Sequence, residues 1–506
     1  MGPVADMIRG IVTAFVVASL GMTALFGANF ALTEISPEHY RRAIAEAIES
    51  GILATATHLP FAPGKDVYRY GGNDCLIFGT LVMPRDARIK ASISPRMPVQ
   101  DSGADVRGAT GYPPAGHCLA LAATMSIIAR DPSSAQFSEP QYYHRYILGD
   151  WTVAALLLAV MSLATTSTVL VVACYAVLAA VALLAFQRLH FASSAERRRP
   201  AAFLIIAVTL ACFYGLPVFD RSFSFAPTDL VIFAFILFGM VQPFGRISRQ
   251  GFILTAAAFG TLIAMLEFLT GGVPMALATL IALVALGEAP DWRTLRDRLI
   301  VGTTAFTAAI IACFGYKLLA VGVVFGTNES SLFFQTLGYR MGGSVESALS
   351  ESARTSLSAY HIDPQWLDAN LLTRLLFAAA MLIYSSFLLG WGSHFLGAAL
   401  VVLPTPILLI FGYLSFRDRN VSSQARERLG LAAAGIIPVL WYLVFANHTI
   451  IHSSYMVRPL ALNIALCIVA ALSGCKENRP IDGAHSEYLH QPSTAGANKR
   501  QSSGSA

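Results

Sequence analysis

Charge is scarce in this chain of 506 residues: Asp, Glu, Lys and Arg supply 13% of it, against 55% hydrophobic residues. Soluble proteins carry about 25% charged residues, so a water-soluble globular fold is excluded for most of the length. The apolar residues come in long runs, and backbone groups in lipid are satisfied by helices. The net charge of +5 is small and sits in short loops, a distribution of orientation signals rather than of a nucleic-acid surface. Zinc-ligand spacings, a P-loop and a Rossmann glycine pattern are all missing, so no cofactor is called for. No internal repeat is evident, which weighs against an inverted-repeat transporter.

What is present reads as an all-α polytopic membrane protein. Residues 1–33 hold one apolar helix over 10–32, with a cleavable signal peptide as the competing reading because Ala28-Asn29-Phe30-Ala31 offers small residues. Residues 34–149 form a polar segment. It opens with an amphipathic helix over 37–49, continues through loops and short turns over 57–114, and holds a second helix near 117–129. The run 151–163 is too short to cross a ~30 Å hydrocarbon core and reads as juxtamembrane or re-entrant. Further spans are expected near 166–187, 201–217, 229–244, 252–270, 273–288 and 299–324, then 372–390, 394–415, 430–446 and 457–473. Arg188, Arg197 to Arg199, Arg246 and the segment 291–298 put the intervening basic loops in the cytoplasm, and residues 34–149, 326–370 and 447–456 outside. Arg417, Arg419, Arg426 and Arg428 should also be inside, which requires one of the runs 372–390 and 394–415 to be re-entrant. The total is ten or eleven spans. The tail, 476–506, is rich in Ser, Gly and Asn and reads as disordered and cytoplasmic.

Three outer features carry candidate chemistry. Asp74, after Tyr70-Gly71-Gly72-Asn73, is either a turn carboxylate or a general base that takes a proton from a hydroxyl. His144 and Arg145 lie within Tyr142-Tyr143-His144-Arg145-Tyr146, where an aromatic belt accounts for the tyrosines alone. Asn447, His448 and His452 precede Arg458, and the two histidines share a face if that stretch is helical. Lys317, near the outer end of its span, either snorkels or reaches a phosphate. Arg145, Lys317 and Arg458 together suit a phosphate leaving group, with Glu267 a partner for one of them.

A large first outer loop bearing a carboxylate, placed after one span and before many, resembles the GT-C superfamily of polyprenyl-phosphate-dependent glycosyltransferases. The resemblance rests on that architecture, on Asn73-Asp74, on Tyr143-His144-Arg145-Tyr146 and on Asn447-His448-Thr449-Ile450-Ile451-His452 with Arg458. An adjacent acidic pair, usual in that superfamily, is replaced here by Asn73-Asp74. The resemblance implies a bacterial inner-membrane enzyme of a polysaccharide locus, inverting, with its active site facing the periplasm and a divalent cation at most an accessory. Its partners would be a polyprenyl-phosphate sugar, a glycan or glycolipid acceptor and membrane lipid. Asp74 would be the base, Arg145, Lys317 and Arg458 would hold the departing phosphate, and His144, Asn447, His448 and His452 would orient the substrate. Two rivals stand beside it. An O-antigen polymerase or ligase would work through Arg340, Arg354 and His361 of the 326–370 loop. A transporter or lipid flippase would need charges deep in several spans, whereas Lys317, Glu267 and Arg374 lie near span ends.

Of the seven cysteines, Cys174, Cys212, Cys313 and Cys467 lie in apolar runs and Cys475 opens the tail. Cys75 and Cys118 are the two in the outer segment and are expected to pair. A closed loop of about 43 residues contributes roughly 4 kcal/mol by the chain-entropy argument, less any strain. Alkylation should leave both thiols unlabelled until reductant is added; free labelling of the two in non-reduced protein would remove the bridge.

Overall fold

A computed structural model describes residues 3–50, 52, 56–58, 66–68, 72–94, 121–122, 125, 147–193, 196–267, 271–287, 289–341, 370–385, 394–420 and 422–473. Helices dominate. The strands among the described residues are one antiparallel pair, Ala56–His58 with Asp66–Tyr68.

The expected spans fall on helices where their residues are described, with the run 394–415 divided between His394–Val402 and Pro404–Phe416. Six are long and apolar enough to cross a membrane: Val4–Leu32, Leu163–Phe191, Arg249–Leu266, Trp292–Phe325, Ala399–Phe416 and Ser423–Val444. In chain order the elements are α1 (Pro3–Leu32), α2 (Pro37–Glu49), α3 (Gly72–Leu81), α4 (Arg85–Ala91), α5 (Gly149–Leu158), α6 (Leu163–Phe191), α7 (Arg198–Phe213) and α8 (Leu216–Phe219). They continue with α9 (Ala226–Val241), α10 (Arg249–Leu266), α11 (Gly272–Ala285), α12 (Trp292–Phe325), α13 (Thr327–Arg340) and α14 (Leu371–Ser385). The last six are α15 (His394–Val402), α16 (Pro404–Phe416), α17 (Ser423–Val444), α18 (Ala446–Ile451), α19 (Ser453–Met456) and α20 (Arg458–Leu472). The segment expected to be loops and turns over 57–114 instead contains α3 and α4. The apolar run Cys75-Leu76-Ile77-Phe78 is buried against other helices, and that packing outweighs the local turn residues.

Helix α11 is apolar all round, and every residue in it but Leu277 is buried, which makes it the central helix of the bundle. It packs on α17, while α1, α10 and α12 form a neighbouring layer and α6, α7 and α9 another. Small residues set the spacing. A side chain on Gly260 of α10 would meet the Phe306 carbonyl of α12 at 2.5 Å, and one on Gly430 of α17 would meet Ala285 of α11 at 2.4 Å. Such close backbone approach is the usual device where lipid offers no hydrophobic drive between helices.

The bundle has two distinct ends. At one end the arginine-bearing loops knit together: Arg198 pairs with Glu427 at 3.2 Å, Arg249 with Asp6, Arg298 donates to the Phe244 and Gly245 carbonyls, and Arg426 to Pro290 at 3.1 Å. Helices rising from this basic end are capped by side chains, Ser248 for α10, Asp291 for α12 and Ser422 for α17. Arg426 and Glu427 therefore sit with the other basic loops, as expected. The spanning helix that precedes them is Ala399–Phe416, while α14 packs on the short helices α18 and α19 at the opposite end. Residues 386–393, between the two runs of which one is expected to be re-entrant, lie outside the described residues.

Replacing Gly260 by Val should force α10 and α12 apart and cost about 1–3 kcal/mol, the usual range for overpacking. Gly315→Ala on α12, where nothing lies within 4 Å, should shift stability by less than about 0.5 kcal/mol. Thermal unfolding of the two variants in detergent checks the contrast.

Candidate functional site

The expected site residues that can be described gather at the end of the bundle away from the basic loops. Asp74 lies in the first turn of α3 and is fully buried. A carboxylate there meets the unsatisfied N–H groups of the helix start. Its Oδ1 accepts from the Ser224 backbone N–H at 3.0 Å and from the Ser224 hydroxyl at 2.9 Å. One residue away in sequence, Phe223 packs edge-on against Phe78 of the same helix, with ring centroids 5.6 Å apart. Cys75 is disulfide-bonded, and Cys174, Cys212, Cys313 and Cys467 are free thiols. Its expected partner, Cys118, lies outside the described residues.

Ser224 belongs to a buried connector, Asp220 to Phe225, between α8 and α9. The connector's other side carries Arg458. That guanidinium lies 4.3 Å above the Phe225 ring and is buried. Its Nη1 donates to Asp229 Oδ2 at 2.7 Å, its Nη2 to Glu267 Oε1 and Oε2 at 3.0 and 3.2 Å, and its Nε to the Tyr455 carbonyl at 3.2 Å. Tyr214 donates its hydroxyl to Asp229 Oδ1 at 2.5 Å. Asp220 lies beside Asp229 and Cys174 and is fully buried. Glu267, expected to partner one of Arg145, Lys317 and Arg458, pairs with Arg458. The expected phosphate contact is not what fills the guanidinium fork, because two carboxylates occupy it.

Local backbone chemistry brings these groups together. Gly271 has φ of 108°, a conformation open to glycine, and turns the chain from Glu267 into α11. A side chain on Gly271 would meet Pro459 at 3.2 Å, so this turn sits directly on the start of α20 and sets Glu267 against Arg458. The N–H of Gly272 then donates to Glu267 Oε1 at 3.0 Å. Asp229, Gly272 and Arg458 each lie in the first turn of α9, α11 and α20, so three helix N-termini converge on the cluster. Their positive dipole ends favour the surplus of carboxylates over the one arginine.

A third group adjoins the second. His448 and His452 lie with ring centroids 4.5 Å apart and planes tilted by 55°, on the shared face expected of them, and Asn447 beside them is fully buried. Arg340 Nη1 lies 3.2 Å from His448 Nδ1. His452 is 6.0 Å from the Tyr455 ring, and Tyr455 lies 4.8 Å from Phe225. A continuous chain of contacts thus links Arg340 through the histidines to the connector, and through Ser224 to Asp74.

Lys317 is buried on α12, and its Nζ donates to the Ile93 carbonyl just past the end of α4. Asn29 donates to the Ser92 carbonyl at 3.2 Å at the same place. Lys317 thereby neutralises the carbonyl end of α4 and docks that helix on the bundle. His144, Arg145, Arg354 and His361 lie outside the described residues.

Sequence reasoning passed over Asp220, Ser224 and Asp229. The signal was available: Ser222, Ser224 and Thr228 interleave with Phe223 and Phe225 between two acids, too apolar for a solvated loop and too polar for a span. Comparison with protein-family models, with curated proteins and with solved structures gives no match.

Arg458→Ala should destabilise the protein by about 3–5 kcal/mol, since it strands Asp229 and Glu267 as buried charges. Restoring neutrality by adding Asp229→Asn and Glu267→Gln to the Arg458→Ala variant should recover much of that loss. Thermal unfolding of the single and triple variants measures both effects.

Proposed function

We propose that the chain is an inverting glycosyltransferase of GT-C type, with ten or eleven spans, that moves a sugar from a polyprenyl-phosphate carrier to a glycan or glycolipid acceptor at the extracytoplasmic face of a bacterial inner membrane. The observation that carries this reading is the setting of Asp74. A buried carboxylate at one end of a membrane bundle already accepts a hydrogen bond from a hydroxyl, that of Ser224, at 2.9 Å. This is the contact that an acceptor hydroxyl must make with a general base.

In the reaction, the acceptor oxygen attacks the anomeric carbon while its proton passes to Asp74. The bond from that carbon to the phosphate oxygen breaks, and polyprenyl phosphate departs. Arg145 and Lys317 would stabilise the charge that develops on it. Arg458, with its fork filled, serves as a positioning residue that fixes the connector under Asp74. Asn447, His448 and His452, with His144, would orient the sugar or its phosphate.

A second reading is favoured by one specific observation. Arg340 against His448 is an arginine–histidine pair at the same end of the bundle, the kind of pair an O-antigen polymerase or ligase would use on a lipid pyrophosphate.

Asp74→Asn is nearly isosteric and cannot take up the proton, so transfer should fall by about 10²–10⁴-fold with folding intact. The assay is purified protein with a panel of polyprenyl-phosphate sugars. Near-normal turnover of Asp74→Asn, together with loss of activity in Arg340→Ala, would move the assignment to the polymerase-like reading.

A further inference from the structure

Arg88 is another fully buried arginine of the site end, and its circumstances are opposite to those of Arg458. It lies on α4, 1% exposed, and neither its Nε nor its Nη1 has a hydrogen-bond partner among the described residues. Its cationic neighbours are already matched. Arg85 pairs with Glu34, and Arg41 pairs with Glu38 while donating its Nε to the Val82 carbonyl at 2.9 Å. Both arginines stand beside the turn that leads into α4, and neither Glu34 nor Glu38 is hydrogen-bonded to Arg88. Burial pulls the Arg88 pKa below the ordinary guanidinium value, with the nearby Tyr40 hydroxyl countering. A guanidinium starts so high that it stays charged in proteins. A buried cation with unused donors is costly unless an anion meets it.

The surroundings select the anion. Helix α2 begins just after the spanning helix α1, with Tyr40, Ile44 and Ala47 buried against the bundle and its charged residues on the remaining face. Tyr40 donates to the Ala155 carbonyl of α5 at 3.3 Å, and Lys317 holds the far end of α4 to α12. Arg88 is therefore seated where the polar segment meets the bundle, at the level where lipid phosphates lie. We propose that Arg88 is the centre of a binding site for one phosphate group carried on a lipid, held by its unpartnered guanidinium donors with Arg41 and Arg85 as flanking cations. An oxyanion accepts a charge-assisted hydrogen bond from each unmatched donor it reaches. The site does not depend on any transfer chemistry at Asp74.

The test is lipid binding to the purified full chain in detergent, followed by thermal shift and by retention of radiolabelled lipid. The probes are a long-chain polyprenyl phosphate, phosphatidylglycerol, phosphatidylcholine and inorganic phosphate. Saturable binding of the polyprenyl phosphate or of phosphatidylglycerol is expected, and which of the two is tighter names the source. Arg88→Gln should weaken it by about tenfold or more. Arg88→Lys, which keeps the charge and loses the fork, should fall between. Asp74→Asn should bind as the wild type does, so failure of the transfer reading and failure of this one give different results. Absence of saturable binding to the wild-type chain, equal binding of phosphatidylcholine, equal affinity for inorganic phosphate, or undiminished binding by a folded Arg88→Gln would each overturn the proposal. If Arg88→Gln does not fold, the wild-type and Arg88→Lys titrations decide it.

Discussion

The contact on which the site end depends is the hold of Arg458 Nη2 on both carboxylate oxygens of Glu267, extended through Nη1 to Asp229. A guanidinium taken out of water loses hydration that only close, well-aligned anions replace. Those anions come from α9 and from the end of α10, so one side chain at the start of α20 ties together three elements distant in sequence. Phe225, under the same guanidinium, extends the tie to the connector, and Ser224 carries it to Asp74. Removing the arginine would loosen all of them together, because one guanidinium serves both carboxylates. The convergence of three helix N-termini is what lets more acids than bases persist there.

Much of this is legible in the sequence, for identifiable reasons. The spans follow from hydropathy alone, and the shared position of the arginine loops follows from their charge, since arginines at helix ends reach for carbonyls of adjacent loops. Arg298 on Phe244 and Gly245, and Arg426 on Pro290, are instances. The pairing of His448 with His452 follows from their spacing on a helix. Asp74 stands out in the sequence as a polar-segment carboxylate, but its local structure does not. Gly71-Gly72 reads as a turn, whereas Cys75-Leu76-Ile77-Phe78 is drawn into a buried helix by packing that no local pattern encodes.

What stays illegible is partnership. Nothing in the sequence links Arg458 to Asp229, 229 positions away, or Asp74 to Ser224, 150 positions away. Lys317 reads as a cation waiting for an external phosphate, and its contact with the Ile93 carbonyl, 224 positions away, is not foreseen. Its burial beside Ile93 serves docking of α4 on the bundle. The same limit applies in reverse to Arg88, which no pattern distinguishes from the other arginine of its helix. Its burial and its unused donors set it apart.

The lengths of the helices that meet at the cluster have a consequence for depth. Helices α9, α11 and α20 have 16, 14 and 15 residues, which at about 1.5 Å per residue is roughly 21–24 Å. A hydrocarbon core is ~30 Å thick. With their basic ends level with the headgroups, their other ends stop several ångströms beneath the opposite lipid surface. The buried polar cluster there lies within the thickness of the membrane. A soluble molecule would have to descend to that depth, whereas a group tethered to a hydrocarbon chain arrives sideways without leaving the bilayer.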